Sequence, residues 1–173
     1  MSFTLYDALV PSWLQILDSV SSLLDKADAY CAKQQLAPMT LIDTRLAPDM
    51  YPLGYQVKAT VVHSIGALEG ARMGAYLPDR SPWPDSFAGL RDQVATAIDR
   101  LSALSRAEVN GFLGRDLRFE AGSYKLNFLV EDFLLSFSQP NFYFHSTTAY
   151  DILRAQGVAV GKIDFLGKLR HRV

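Results

Sequence analysis

At 173 residues, with 49% hydrophobic and 20% charged side chains, the chain is sized for one globular domain with its own core, which excludes both a disordered segment and a mini-protein that needs a staple. A formal net charge of −1 gives no electrostatic case for nucleic acid or an anionic membrane as partner, and a single cysteine, Cys31, excludes an internal disulfide. With no basic n-region at its start and no apolar run long enough to span a bilayer, the chain reads as cytoplasmic. The one basic cluster, Lys168, Arg170, His171 and Arg172, reads as a solvated tail.

Four long helical patterns follow in chain order. The first opens at Thr4, with Asp7 as the reciprocal member of a capping box, and carries Trp13, Leu17, Val20, Leu24, Ala27 and Cys31 at three- and four-residue steps. Cys31 falls on that stripe and reads as a small core residue. Pro38 starts a short turn, and Arg45 to Pro52 is a two-proline connection, with an Arg45–Asp49 salt bridge as its expected brace.

The second long helix begins near Pro52 and has a small, polar face, Gln56, Ala59, Thr60, His63, Gly66, Ala67 and Gly70. Pro78 to Pro84 is a proline-punctuated loop, after which Asp85 or Ser86 caps a third helix with Phe87, Leu90, Val94, Ile98 and Leu101 inward. Ser105 and Glu108 repeat the capping-box pattern over a short turn. Leu117 and Phe119, then Tyr124, Leu126 and Phe128, alternate with polar residues around Ala121-Gly122-Ser123 and predict a β-hairpin.

The fourth helix is predicted from about Val130 to Gln156, with Phe133, Leu134, Phe137, Asn141, Phe144, His145, Thr148 and Ile152 inward. Pro140 deletes a hydrogen bond in its middle and predicts a kink or π-like turn just before Asn141. Asn141 and His145, four residues apart, project from one face. The fold class is therefore all-α, a four-helix bundle with a small β-hairpin between the third and fourth long helices, in one domain over residues 1–173.

Several blocks carry a resemblance. A helix with an inward histidine, a helix, a hairpin and a last helix with His145, Leu153-Arg154 and Gly157 in register is similar to the DinB/YfiT-like superfamily. More narrowly, Leu5-Tyr6-Asp7-Ala8 with Val10-Pro11, Arg45 to Met50 with Pro52-Leu53, Pro140 to His145 with Thr147 to Tyr150, and Asp164-Phe165-Leu166-Gly167 resemble the family called domain of unknown function nineteen ninety-three.

The resemblance implies a DinB-like fold and, by position, a divalent-metal site for zinc or nickel. His63 and His145 then match two of three superfamily ligands, and Asn141 stands where the third histidine would be. An amide oxygen is a poor substitute for imidazole, so the set predicts weak binding unless Asp49, Gln56 or Glu69 adds an oxygen. Tyr6, Thr148 and Tyr150 are further pocket candidates. Three readings stay open: a degenerate metal site of a thiol-transferase-like enzyme, a non-catalytic small-molecule-binding or stress-response bundle without metal, and a buried hydrogen-bond network of purely structural role. Whether the chain is an enzyme stays open with them. A homodimer is expected, from the resemblance and because Trp83, Phe112 and Phe165 would be wet in a monomer.

Overall fold

Thr4 and Asp7 form the predicted capping box, the Thr4 hydroxyl accepting from the Asp7 N–H and the Asp7 carboxylate from the Thr4 N–H. They open α1 (Leu5–Gln34), whose stripe from Leu9 through Trp13, Leu17, Val20 and Leu24 to Cys31 is buried along its whole length. The computed structural model describes residues 2–171, so Arg172 of the expected basic tail lies outside the described residues. α2 (Pro38–Ile42) uses its proline in the first turn, where a missing N–H costs nothing. In the connection that follows, Arg45 bonds the Met50 carbonyl, so the expected Arg45–Asp49 bridge is replaced by a side chain to backbone clasp.

The second long helix is one rod in three pieces: α3 (Leu53–Val61), a π-helical stretch (Val62–Gly66) and α4 (Ala67–Met73). Gly54 lies directly beneath the Trp83 indole, where any Cβ would collide with the ring. Ser86, rather than Asp85, caps α5 (Phe87–Ser102), accepting from the Gly89 N–H at 3.2 Å. Ser105 caps α6 (Arg106–Asn110) in the same way.

The hairpin is present as β2 (Asp116–Ala121) and β3 (Tyr124–Leu129), with Ala121 opposite Tyr124 across a turn in which Gly122 takes φ 62°. It is part of a larger unit, however. A two-residue strand, β1 (Ala75–Tyr76), pairs in parallel with β2 and gives a three-stranded sheet in the order β1-β2-β3. Two residues carry too little alternation to announce a strand; the pairing comes from tertiary placement after α4.

The fourth long helix is likewise a rod of α7 (Val130–Asp132), a π-helical stretch (Phe133–Ser138) and α8 (Gln139–Ala155). The π turns sit just before Pro140, as the missing amide donor predicts. They also lengthen one step of the inward face, which runs Phe133, Ser138, Phe142, Ser146, Ala149 and Leu153, all buried. For that reason Phe144, expected inward, is 54% exposed. α9 (Lys162–Leu166) closes on α1 through the Lys26–Asp164 ion pair at 2.7 Å and the Gln15 amide on the Leu166 carbonyl.

The four long helices thus surround one core, with the sheet at one end. Phe112 is buried and Trp83 and Phe165 are packed against that core, so the three residues expected to be wet are covered within the chain. Among the described residues no helix is long and apolar enough to cross a membrane.

Candidate functional site

Two polar pairs at heptad spacing face each other between the second and fourth long helices. Gln56 and His63 are seven residues apart on one rod, Ser138 and His145 seven apart on the other, so each pair returns to the same face after two turns. The rods run so that Gln56 meets His145, its Oε1 2.7 Å from the His145 Nδ1, while Ser138 meets His63, its Oγ 3.4 Å from the His63 Nδ1. Between these rungs the two imidazoles stack, ring centres 5.6 Å apart and planes 11° from parallel. Both π-helical stretches contribute, since His63 and Ser138 lie in them.

The hydrogen bonds favour one tautomer at each ring. The Gln56 amide nitrogen donates to the Tyr51 carbonyl at 2.8 Å, which turns its oxygen, able only to accept, toward His145. The Ser138 hydroxyl donates its one proton to the His63 carbonyl at 3.0 Å and therefore meets the His63 ring as an acceptor. The His145 imidazole thus carries its proton on Nδ1 and a lone pair on Nε2, and the same tautomer of His63 fits the Ser138 contact. Neither Nε2 meets a protein partner among the described residues, and neither is a sealed orphan; the buried unpartnered side-chain atoms are Trp13 Nε1 and Gln93 Oε1. Neither Nε2 is therefore sealed, and His63 lines a small chamber beside the pair.

Burial keeps both rings uncharged. Loss of water pulls the His63 pKa down to about 3, helped by repulsion from His145, and pulls that of His145 down to about 4. Aromatic rings supply the dry walls: Tyr76 and Phe137 lie 6.1 and 5.7 Å from the His63 ring centre, and Tyr55 lies edge-on to His145 at 5.8 Å. A small chamber of about 40 Å³ reaches His63 between Tyr55, Lys58, Tyr76, Pro78 and Asp79. Burial raises the pKa of both tyrosines, so their hydroxyls stay protonated.

Lys58 builds the outer wall of that chamber. It is only 2% exposed, and its ammonium bonds the Asp79 carbonyl at 3.2 Å, the Ser81 carbonyl and the Asp79 carboxylate at 3.3 Å. All of these partners lie on the proline-punctuated loop, which one buried cation thereby fastens over the histidines.

Of the residues singled out from sequence, His63, His145 and Gln56 come together. Asn141 is one turn from His145 on the same helix, but its amide nitrogen bonds the Phe137 carbonyl at 2.7 Å. Thr148 is spent likewise on the Phe144 carbonyl. Tyr6 lies under the Arg106 guanidinium at 4.8 Å, Tyr150 packs on Phe165, Asp49 is exposed in the two-proline connection and Glu69 pairs with Arg100. Cys31 is buried and its thiol pKa raised by burial, in keeping with a core role. Sequence reading missed Ser138, Tyr55, Tyr76 and Lys58; for Ser138 a signal existed, its seven-residue spacing from His145 repeating that of Gln56 and His63.

The donor set does not fit a three-ligand zinc or nickel centre. It offers two imidazole nitrogens; the Asn141 amide is committed to its own helix, and the carboxylate on the chamber wall, Asp79, is paired with Lys58. Among the described residues no group of three or more histidine, cysteine, aspartate or glutamate side chains is placed to hold a metal ion.

Comparisons with known proteins agree with this architecture. No curated protein matches the chain. A crystal structure of a DinB family member protein from Shewanella denitrificans, at 1.83 Å resolution, is similar with a TM-score of 0.82 and 27% identity, over 98% of this chain and 95% of that one. The family described as Domain of unknown function (DUF1993) matches residues 5–166. With the match spanning almost the whole bundle, from the Thr4-capped helix to α9, the chain belongs to the DUF1993 family and is DinB-like.

Proposed function

We propose that this protein is a metal-independent small-molecule-binding bundle in which His63 and His145 present two neutral Nε2 acceptors to a ligand that donates hydrogen bonds. The observation that supports this reading is the pair of contacts that favour the Nδ1–H tautomers, Gln56 to His145 and Ser138 to His63, which leave both lone pairs unspent beside protonated tyrosine hydroxyls. An acceptor that no protein group uses, set among aromatic walls, is met by a donor on the ligand, so the arrangement favours a ligand with a hydroxyl, amide or phenol group. The homodimer stays part of the proposal through the resemblance alone. A monomeric mass by light scattering at micromolar concentration would remove it.

A second reading is favoured by one of the same contacts. An imidazole whose Nδ1–H is anchored on an amide oxygen is also the usual posture of a metal ligand, and a weak zinc or nickel site completed from outside the chain would use it. Melting separates the two. Protein purified without tag or chelator should show no saturable stabilisation by Zn²⁺ or Ni²⁺, whereas a true site gives about 2.7 kcal/mol at a hundredfold excess over its dissociation constant. A saturable shift in the parent that disappears in His63→Phe decides for the metal.

A further inference from the structure

Beside the histidine chamber runs a groove of about 280 Å³ between the second long helix, β1 and α5. The two spaces share Val62, Tyr76 and Asp79 as lining, so they adjoin along one wall. The groove's sides are apolar, from Val61, Ile65, Met73 and Leu77, and its charges are cancelled in pairs, Glu69 with Arg100 and Asp79 with Lys58. Its floor at Gly66 is open: a Cβ there would come no closer than 3.8 Å to another heavy atom, and that atom is a methyl of Val62 on the groove wall. Met73 and Leu77, at the rim, are 72% and 64% exposed, an apolar edge left uncovered among the described residues.

We propose that this groove is the second half of the ligand site and takes the apolar tail of an uncharged amphipathic molecule whose hydroxyl or amide head reaches the histidine chamber. The proposal rests on the reading of the histidine pair as acceptors. Charge argues for the ligand class, because a charged tail would find no unpaired counter-ion in the groove and a charged head would meet the neutral His63 imidazole and the protonated Tyr55 and Tyr76. Apolar area argues for the tail, since removing each methylene from water contributes about 0.8 kcal/mol, a gain of about fourfold in affinity per carbon.

The test uses the whole chain and linear primary alcohols from butanol to octanol, each against its methyl ether, with binding followed by calorimetry and amide chemical shifts. Affinity should rise about fourfold per methylene until the groove is full, and each alcohol should bind at least tenfold more tightly than its ether. Gly66→Leu, which adds a side chain where a Cβ meets only ordinary contact, should abolish the dependence on chain length. Met73→Glu, a change at an exposed position that cannot disturb the core, should weaken the longer alcohols most. No saturable binding of any alcohol, or a chain-length dependence untouched by both variants, overturns the groove. Loss of length dependence in the variants with alcohol and ether bound equally, in the parent and in His63→Phe, upholds the groove while contradicting the histidine reading, so the two failures are distinguishable.

Discussion

His63 and His145 make the stability of the bundle depend on pH in a definite direction. Both have folded-state pKa values, about 3 and about 4, below the ordinary value of 6.5, so the unfolded chain takes up protons that the folded chain refuses. Their contribution is fully present above about pH 6.5 and is lost as pH falls from there toward 4, at up to about 1.4 kcal/mol per pH unit for each ring. Urea midpoints at pH 7.5, 6 and 5 should therefore fall steeply in the parent, and His63→Phe should remove about half of the slope. An identical slope in the variant would mean that His63 titrates normally. The carboxylates of Asp7, Asp79 and Asp164, all lowered by their hydrogen bonds and ion pairs, act in the same direction at lower pH and are common to both proteins.

At the level of elements, the site depends on two irregular helices and one fastened loop. The π-helical stretch before Pro140 brings Ser138, rather than its neighbours, opposite His63. Pro140→Ala restores an amide donor and should let the rod relax toward regular α-helix, shifting its axis between residues 133 and 145. A variant structure that superposes on the parent through those residues would show that the proline does not cause the π turns. Lys58→Met should free the loop over the chamber: amide exchange should quicken across residues 77–84 and stay unchanged in α5, with a stability loss of about 1–3 kcal/mol. Unchanged exchange in the loop would mean that Trp83 on Gly54 is its real anchor.

These elements also show what can be read from residues alone. The Thr4–Asp7 capping box, the hairpin turn and the π turns before Pro140 are local, set by hydrogen-bond geometry within a few residues, and are present as read, whereas the second expected box is half formed: Ser105 caps α6, but the Glu108 carboxylate goes to Arg72. β1 and the Lys58 clasp are not local: both join segments that only the finished bundle brings together. The inward face of the fourth helix falls between these cases. Its period was legible, but the five-residue step from Phe133 to Ser138 displaced Phe144 to the surface and let Phe142 take the core position against Trp13. Asn141 likewise has metal-ligand spacing from His145, yet the carbonyl of Phe137 competes for its amide, and spacing alone carries no sign of that competition.

At the scale of the whole molecule, a DinB-like bundle holds two imidazoles face to face, uncharged, each with its Nδ1 engaged and its Nε2 without a protein partner among the described residues. That arrangement underlies both the acceptor site and the groove beside it. Histidine ¹⁵N resonances of uniformly labelled, metal-free protein test it most directly, since protonated, lone-pair and coordinated ring nitrogens are distinct. The account predicts that His63 and His145 both remain Nδ1–H tautomers with unprotonated Nε2 from pH 8 down to about 5. Nε2–H tautomers, or an imidazolium at either position at pH 6, would contradict it.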